Sequence, residues 1–218
     1  MKIAIDGPAG AGKSTIARRL AKELGFIYID TGAMYRALTW KALKHGINIH
    51  DPEALHRLAI NTDIQFRFDS SEQRVICDDQ DVTLEIRSPL VSAWVSIIAS
   101  VEPVREVMVE RQQAMASNLS VIMDGRDIGE CVLPDAEYKF FITASLEERA
   151  KRRLKDLTEW GYETDLNQCI EDLVQRDAND SSRNMGALKV LNDSIVIDTS
   201  NKSLEQVVDI ILGIIREN

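Results

Sequence analysis

The sequence predicts an α/β fold: a five-stranded parallel sheet with helices on both faces, interrupted by an inserted domain that contains a small antiparallel sheet. Three observations lead there. Five short apolar runs, Lys2–Ile5, Phe26–Ile29, Ser120–Met123, Tyr138–Ile142 and Ile195–Ile197, are continuous rather than alternating, as strands covered on both faces are. Most of them are followed by a helical pattern, which favours parallel pairing through crossovers. The middle of the chain instead alternates and turns tightly, the mark of a half-solvated antiparallel meander. Residues 37–117 therefore read as an insertion between 1–36 and 118–218.

The elements follow in order. The first run leads into a glycine loop and a helix over Ser14–Leu24, stopped by Gly25. The second leads through Asp30-Thr31-Gly32 into a helix that runs to about Lys44 and is stopped by Gly46. In the insertion, Asp63–Phe68 alternates with Ile64, Phe66 and Phe68 on one side, and Asp69-Ser70-Ser71-Glu72 is a turn. Arg74–Cys77 is the second strand; Asp78-Asp79-Gln80-Asp81 turns again before Val82 and Leu84. Two helices follow, Pro89–Ser100 with Ser88 as its cap, and Pro103–Ser117. After the fourth apolar run, Ser145 and Glu148 form a capping box for a long helix, and Ser203 with Gln206 does the same for the last one. The apolar stretch Val207–Ile215 fits packing on the core or on a partner, and the core is the expected place.

Composition bounds the function. Of 218 residues, 44% are hydrophobic and 28% charged, an ordinary globular balance. The formal net charge of −9 is the wrong sign for a nucleic-acid binder, while a small phosphorylated ligand needs only a local basic pocket. Cys77, Cys131 and Cys169 are far apart and form no CxxC, so they read as free thiols in a reducing compartment. His45, His50 and His56 fall in one polar stretch and read as surface positions near helix ends. No apolar run approaches the roughly 18 residues of a membrane span, and Met1–Asp6 is too short for a signal segment. A cytoplasmic monomer, bound neither to membrane nor to nucleic acid, is expected.

Gly7-Pro8-Ala9-Gly10-Ala11-Gly12-Lys13-Ser14 matches G-x-x-x-x-G-K-[ST], between an expected strand and an expected helix. Glycines let backbone N–H groups converge on phosphate oxygens, and the helix N-terminus adds positive potential. Lys13 would face the β- and γ-phosphates of a nucleoside triphosphate, and the Ser14 hydroxyl would ligate Mg²⁺. A guanine-reading N-K-x-D is missing: Asn201-Lys202-Ser203-Leu204 lacks the acid. Val121-Ile122-Met123 ends in Asp124 and then Gly125, without the paired acids of a motor ATPase. Asp124 either holds a metal-bound water or caps the loop.

Arginine is concentrated in three places. Arg36 lies in Asp30–Arg36, Arg126 in Asp124-Gly125-Arg126-Asp127, and two basic stretches span Arg149–Lys155 and Arg176–Arg183. Five of the seven residues from Arg149 to Lys155 are cationic, in a chain of charge −9. Each cation alone also fits a solvated helix face paired with Glu147 and Glu148. Together they fit phosphoryl transfer between two anions, where cations offset repulsion and stabilise the equatorial oxygens.

These motifs resemble those of the bacterial cytidylate kinases: IDGPAGAGKST at the start, DTGAMYR at Asp30–Arg36, DGRDIG at Asp124–Gly129, ERAKRR at Glu148–Arg153 and RDANDSSR at Arg176–Arg183. The resemblance implies a P-loop kinase core, an inserted monophosphate-binding domain and a helical lid over about 145–183. It also implies roles. Gly7, Pro8, Ala9, Gly10, Ala11, Gly12, Lys13, Ser14 and Thr15 would hold ATP. Arg36, Arg126 and Arg183 would grip the phosphate of CMP or dCMP. Ser96, Arg105 and Asp127 would face the cytosine, and Arg176 and Asp180 the ribose. Arg149, Arg152 and Arg153 would act with Lys13 as the catalytic cations, closing with the lid. Thr31 stands where some members have Ser and keeps the hydroxyl. Rival readings are another acceptor on the same scaffold (UMP, AMP or shikimate) and a non-catalytic nucleotide switch; the arginine surplus favours transfer, since a switch has no second anion to neutralise.

Overall fold

The computed structural model describes residues 1–68 and 73–217, leaving outside it the side chain of Phe68 and the turn expected at Asp69–Glu72. In chain order the elements are β1 (Lys2–Asp6), α1 (Lys13–Leu24), β2 (Ile27–Asp30), α2 (Thr31–Lys44), α3 (Pro52–Ile60), β3 (Ile64–Phe68), β4 (Gln73–Cys77) and β5 (Gln80–Asp81). A 3-10 turn (Glu85–Arg87) leads to α4 (Pro89–Ile98), α5 (Glu102–Met115), β6 (Val121–Gly125) and a π-helical turn (Ile128–Val132). The chain ends with β7 (Tyr138–Thr143), α6 (Leu146–Glu159), α7 (Leu166–Ser181), β8 (Ile195–Asp198) and α8 (Leu204–Arg216). It divides into two compact units, Met1–Ile29 with Ala116–Asn218, and Asp30–Met115.

The discontinuous unit is built on a sheet of order β2-β6-β1-β7-β8. β1 pairs in parallel with β6 (Lys2↔Val121) and with β7 (Ile3↔Tyr138), and β7 with β8 (Phe140↔Ile195). Ile3, Ile5, Ile122 and Phe140 are fully enclosed, because β1, β6 and β7 are interior strands and α1 and α8 cover this face of the sheet. α1 adds Ile16 and Leu20 to this core, and α8 adds Val207, Val208, Ile211 and Ile215. The continuous apolar run at β8 departs from the expectation: only Ile197 is buried, while Ile195 and Val196 are exposed. β8 is the edge strand, with no neighbour on its outer side among the described residues.

The helix signals work unevenly. The Ser203 hydroxyl accepts from the Gln206 N–H at 3.3 Å and the Gln206 side chain accepts from the Ser203 N–H at 2.9 Å, a complete capping box. The box expected at Ser145 is only half made. Ser145 accepts from the Glu148 N–H, but its own N–H donates to Ser200 Oγ at 2.9 Å, and the Glu148 carboxylate turns to Lys151. Helix α7, capped by the Asp165 carboxylate, which accepts from the Gln168 N–H, runs to Ser181.

In the continuous unit, α2 begins at Thr31 rather than after Gly32, because the Asp30 carboxylate caps it by accepting from the Ala33 N–H at 3.0 Å. Met34, Leu38, Leu55, Ile98 and Met108 form a separate core around it. β3, β4 and β5 form the small antiparallel sheet. The third strand stops at Asp81, short of Val82 and Leu84: both the N–H and the hydroxyl of Thr83 donate to Asp81 Oδ1, which turns the chain. α3 was not foreseen, although Asp51 caps it and Pro52 opens it, the pairing already used at Ser88-Pro89.

Candidate active site

Strand β1 delivers the glycine loop to the N-terminus of α1. Gly7 has φ +147°, and a Cβ there would lie 2.0 Å from the Ile142 carbonyl oxygen, so the loop crosses β7 only because Gly7 has no side chain. Gly10, at φ +76°, lies against α6: a Cβ would meet Arg149 O at 3.0 Å and Arg149 Cβ at 3.1 Å. Lys13 is buried and its ammonium donates to the Pro8 carbonyl at 2.7 Å. Burial, together with the guanidiniums of Arg126 and Arg176, pushes its pKa well below the usual lysine value. Thr15 is exposed on the first turn of α1.

Asp124, at the end of β6, is buried. Its Oδ2 accepts from the Ser14 hydroxyl at 2.9 Å and its Oδ1 from the Tyr28 hydroxyl at 2.7 Å. Of the two roles open to Asp124, the Ser14 contact fits the metal one. A hydroxyl and a carboxylate are the hard oxygen donors that Mg²⁺ takes while keeping most of its waters. Among the described residues, no three His, Cys, Asp or Glu side chains cluster as metal ligands, and the histidine stretch holds no such site.

Beyond β6, Arg126 forms an ion pair with Asp180 of α7 at 2.7 Å and donates to the Gly125 carbonyl at 3.1 Å. Arg183 also bonds to Asp180. Burial pushes the Asp180 carboxyl up, but Arg126, Arg176 and Arg183 outweigh it and hold its pKa below the usual value. Asp127 is buried and its carbonyl accepts from the Cys131 N–H in the π-helical turn. The first two amides of that turn, Ile128 N–H and Gly129 N–H, donate to the Asp6 carboxylate at 2.8 and 2.9 Å. Burial still pushes Asp6 up to about 6, aided by neighbouring Asp127 and opposed by the two amides and Lys13.

Two of the three α6 arginines are engaged with the loop itself. Arg149 Nη1 donates to the Ala9 carbonyl at 3.0 Å and to Asp177 Oδ2 at 2.6 Å, and its Nε to Ala144 O at 3.2 Å. Arg152 donates to the Ala11 carbonyl at 3.2 Å and to both oxygens of Thr199. Arg153 lies over the Trp160 ring at 5.8 Å, and burial lowers its pKa against the pull of Asp156.

Seventeen of the expected residues, those from Gly7 to Thr15, Arg126 and Asp127, those of α6 and α7, and Arg183, thus sit in the discontinuous unit; Thr31, Arg36, Ser96 and Arg105 belong to the other. There, Thr31 opens α2, Arg36 donates to Ser92 Oγ at 3.1 Å, and Ser96 is buried on α4. Arg105 is buried on α5, donates to Ala99 O at 2.9 Å and lies over the Tyr35 ring at 5.4 Å. A cavity of about 650 Å³ in the same unit, lined by Ile60, Thr62, Arg111 and Met115 among others, holds none of these four.

Asp6, Tyr28, Asp177 and Thr199 were not singled out from sequence. Asp177 carried a usable signal, standing three residues before Asp180 in an arginine-flanked run. The others are brought in by tertiary structure alone: Thr199 Oγ1 reaches the Ala11 carbonyl across 188 positions.

The sequence profile of the cytidylate kinase family matches residues 3–217. The chain is 53% identical over 212 residues to the cytidylate kinase of Pelotomaculum thermopropionicum, covering 97% of this chain and 94% of that one. It is 50% identical over 212 residues to that of Caldicellulosiruptor saccharolyticus, with the same coverage of 97% and 94%. Among solved structures, an uncharacterized protein from Eubacterium ventriosum is similar in fold, with a TM-score of 0.52 at 14% identity, over 100% of this chain and 99% of that one. With the profile spanning nearly the whole chain and half of the residues shared with named relatives, the protein belongs to the cytidylate kinase family.

Proposed function

We propose that the protein transfers the γ-phosphoryl group of ATP to CMP or dCMP, giving ADP and CDP or dCDP. It acts as a monomer on small nucleotides. The observation that carries this reading is the cation cluster around Lys13. A buried ammonium is pushed down by burial and by two guanidiniums, and Arg126 and Arg183 share the single carboxylate of Asp180. Converging cations of this kind offset the repulsion between two phosphate groups and stabilise the oxygens of the one transferred.

In this reading the loop amides and Lys13 hold the β- and γ-phosphates. Arg126 and Arg183, with Arg36, hold the acceptor phosphate, and Arg176 and Asp180 approach the ribose. Ser96, Arg105 and Asp127 read the cytosine. Ser14 and Asp124 would hold Mg²⁺, which neutralises charge on the β- and γ-oxygens when bound. Arg149 and Arg152 serve by fixing the loop carbonyls to which they donate, and Arg153 closes with the α6–α7 lid. Excluding water matters because ATP is otherwise hydrolysed instead of transferred.

A coupled assay of ADP release with CMP, dCMP, UMP, AMP and shikimate as acceptors tests the proposal. CMP and dCMP are expected to lead. Preference for any other acceptor refutes it, and a stable ATP complex with no transfer to any acceptor points to a nucleotide switch.

A further inference from the structure

Two carboxylates on α7, Asp177 and Asp180, stand three residues apart and so share one face of the helix. They hold different parts of the site. Asp180 takes Arg126 and Arg183. Asp177 reaches the phosphate loop: its Oδ1 accepts from the Ala9 N–H at 3.4 Å, and its Oδ2 accepts from Arg149 Nη1 at 2.6 Å. The same Nη1 donates to the Ala9 carbonyl at 3.0 Å. Both backbone polar groups of Ala9 are therefore held by one ion pair, the N–H by the acid and the C=O by the base. Apolar contacts reinforce the grip, since Ala9 is buried with Ala150, Leu157, Cys169 and Leu173 of α6 and α7. Gly10, the next residue, presses on the Arg149 backbone.

We propose that Asp177 is a positioning residue for the phosphate loop, which it sets through Ala9 and Arg149 without itself facing a phosphate. The inference rests on the reading of this loop as the ATP site. The place calls for two acceptor oxygens on one side chain. The carboxylate offers one oxygen to the guanidinium and the other to the amide. An asparagine that gives its oxygen to Arg149 turns its NH₂ toward the Ala9 N–H, a donor against a donor. The loop then shifts away from α7, and small displacements of groups that orient phosphates reduce both binding and rate.

The test uses Asp177→Asn, Asp177→Glu and Arg149→Lys, with Asp172→Asn as a control for loss of an acid elsewhere on α7. ATP and CMP affinities are measured separately by calorimetry, each without the other substrate, beside kcat, KM and the melting temperature. Asp177→Asn is expected to weaken ATP about tenfold and CMP less than twofold, and to lower kcat/KM for ATP by about a hundredfold. Arg149→Lys keeps the cation but not the reach to both Ala9 and Asp177, and gives the same ATP-selective loss. Asp177→Glu restores ATP affinity to within about threefold of the original, and Asp172→Asn changes nothing. The proposal is overturned if either folded clamp variant, Asp177→Asn or Arg149→Lys, binds ATP normally. It is equally overturned if ATP and CMP weaken together in step with lost thermal stability. Because ATP binding is read without transfer, failure of the CMP kinase reading shows separately, as an unmodified protein that binds ATP and does not phosphorylate CMP.

Discussion

The Ser14 hydroxyl donates to the Asp124 carboxylate at 2.9 Å, joining residues 110 positions apart across the β1–β6 pair. Tyr28 bonds the other carboxylate oxygen, so Asp124 is oriented from both sides before any ligand arrives. Asp124→Asn keeps the shape and removes the charge. Activity should fall at least a hundredfold, about 3 kcal/mol in the barrier. The Mg²⁺ concentration for half-maximal rate should rise as well. An unchanged Mg²⁺ dependence would show that Asp124 only caps its loop.

Lys13→Ala should abolish transfer and leave the fold intact. The ammonium is buried against Pro8 O and, among the described residues, makes no ion pair on which the core depends. Losing a preorganised cation at the developing charge removes several kcal/mol of transition-state stabilisation, roughly a thousandfold or more in kcat. Near-normal activity with an unchanged circular dichroism spectrum contradicts the assignment.

Asp127→Ala should collapse the preference for CMP over UMP. A carboxylate accepts from the cytosine amine and repels the uracil carbonyl. Each unpaired buried polar group costs about 1–3 kcal/mol, so discrimination of about 10²–10⁴ in kcat/KM is at stake. The carboxylate bonded to Arg126 belongs to Asp180. If Asp127 acts only through Arg126, both substrates suffer alike and the ratio is unchanged.

The α6–α7 region should gain hydrogen-exchange protection when both substrates are bound. Gly161, at φ +82°, joins the helices with open space around it, and Trp160 and Tyr162 beside it are exposed. Equal exchange over 145–183 with and without a bisubstrate analogue rules out closure.

Asp6 makes stability depend on pH. Its carboxyl titrates at about 6 in the folded chain against 3.8 otherwise, chiefly through burial. The folded state then holds the proton more tightly than the unfolded state does. Stability should fall as pH rises from about 4 to about 6, by about 3 kcal/mol, and stay level above that. Asp180 acts on the other side, its depressed pKa removing stability as pH drops below 3.8. Urea titrations from pH 4 to 7 on the unmodified protein and on Asp6→Asn separate the two, since the variant should lose the decline above pH 4.

The interior strands, the glycine loop and the helix stops at Gly25 and Gly46 were legible because each is written in adjacent residues. Continuous burial of Ile3–Asp6 follows from a local run, and Gly25 takes the left-handed φ of 68° that a helix end asks for. The exposure of Ile195 and Val196 was not legible, because edge and centre differ only in which strand lies alongside. Nor was the engagement of Arg149 and Arg152: a cluster of cations says that anions or carbonyls are near, and only the fold decides that Ala9 and Ala11 are the partners. The half-made box at Ser145 failed for the same reason, a tertiary partner at Ser200 displacing the local one.

The pairing of Lys2 with Val121 has a consequence for synthesis on the ribosome. β1 is the central strand of its sheet, yet both of its neighbours, β6 and β7, are translated only after Asp30–Met115. At about 5–20 residues per second, the first strand waits on the order of 6–24 s for a partner. The intervening unit has its own core around Met34 and Leu38 and can close during that interval. Nascent chains arrested before residue 121 should therefore protect Met34 and Leu38 from proteolysis while Ile3–Ile5 is still cut.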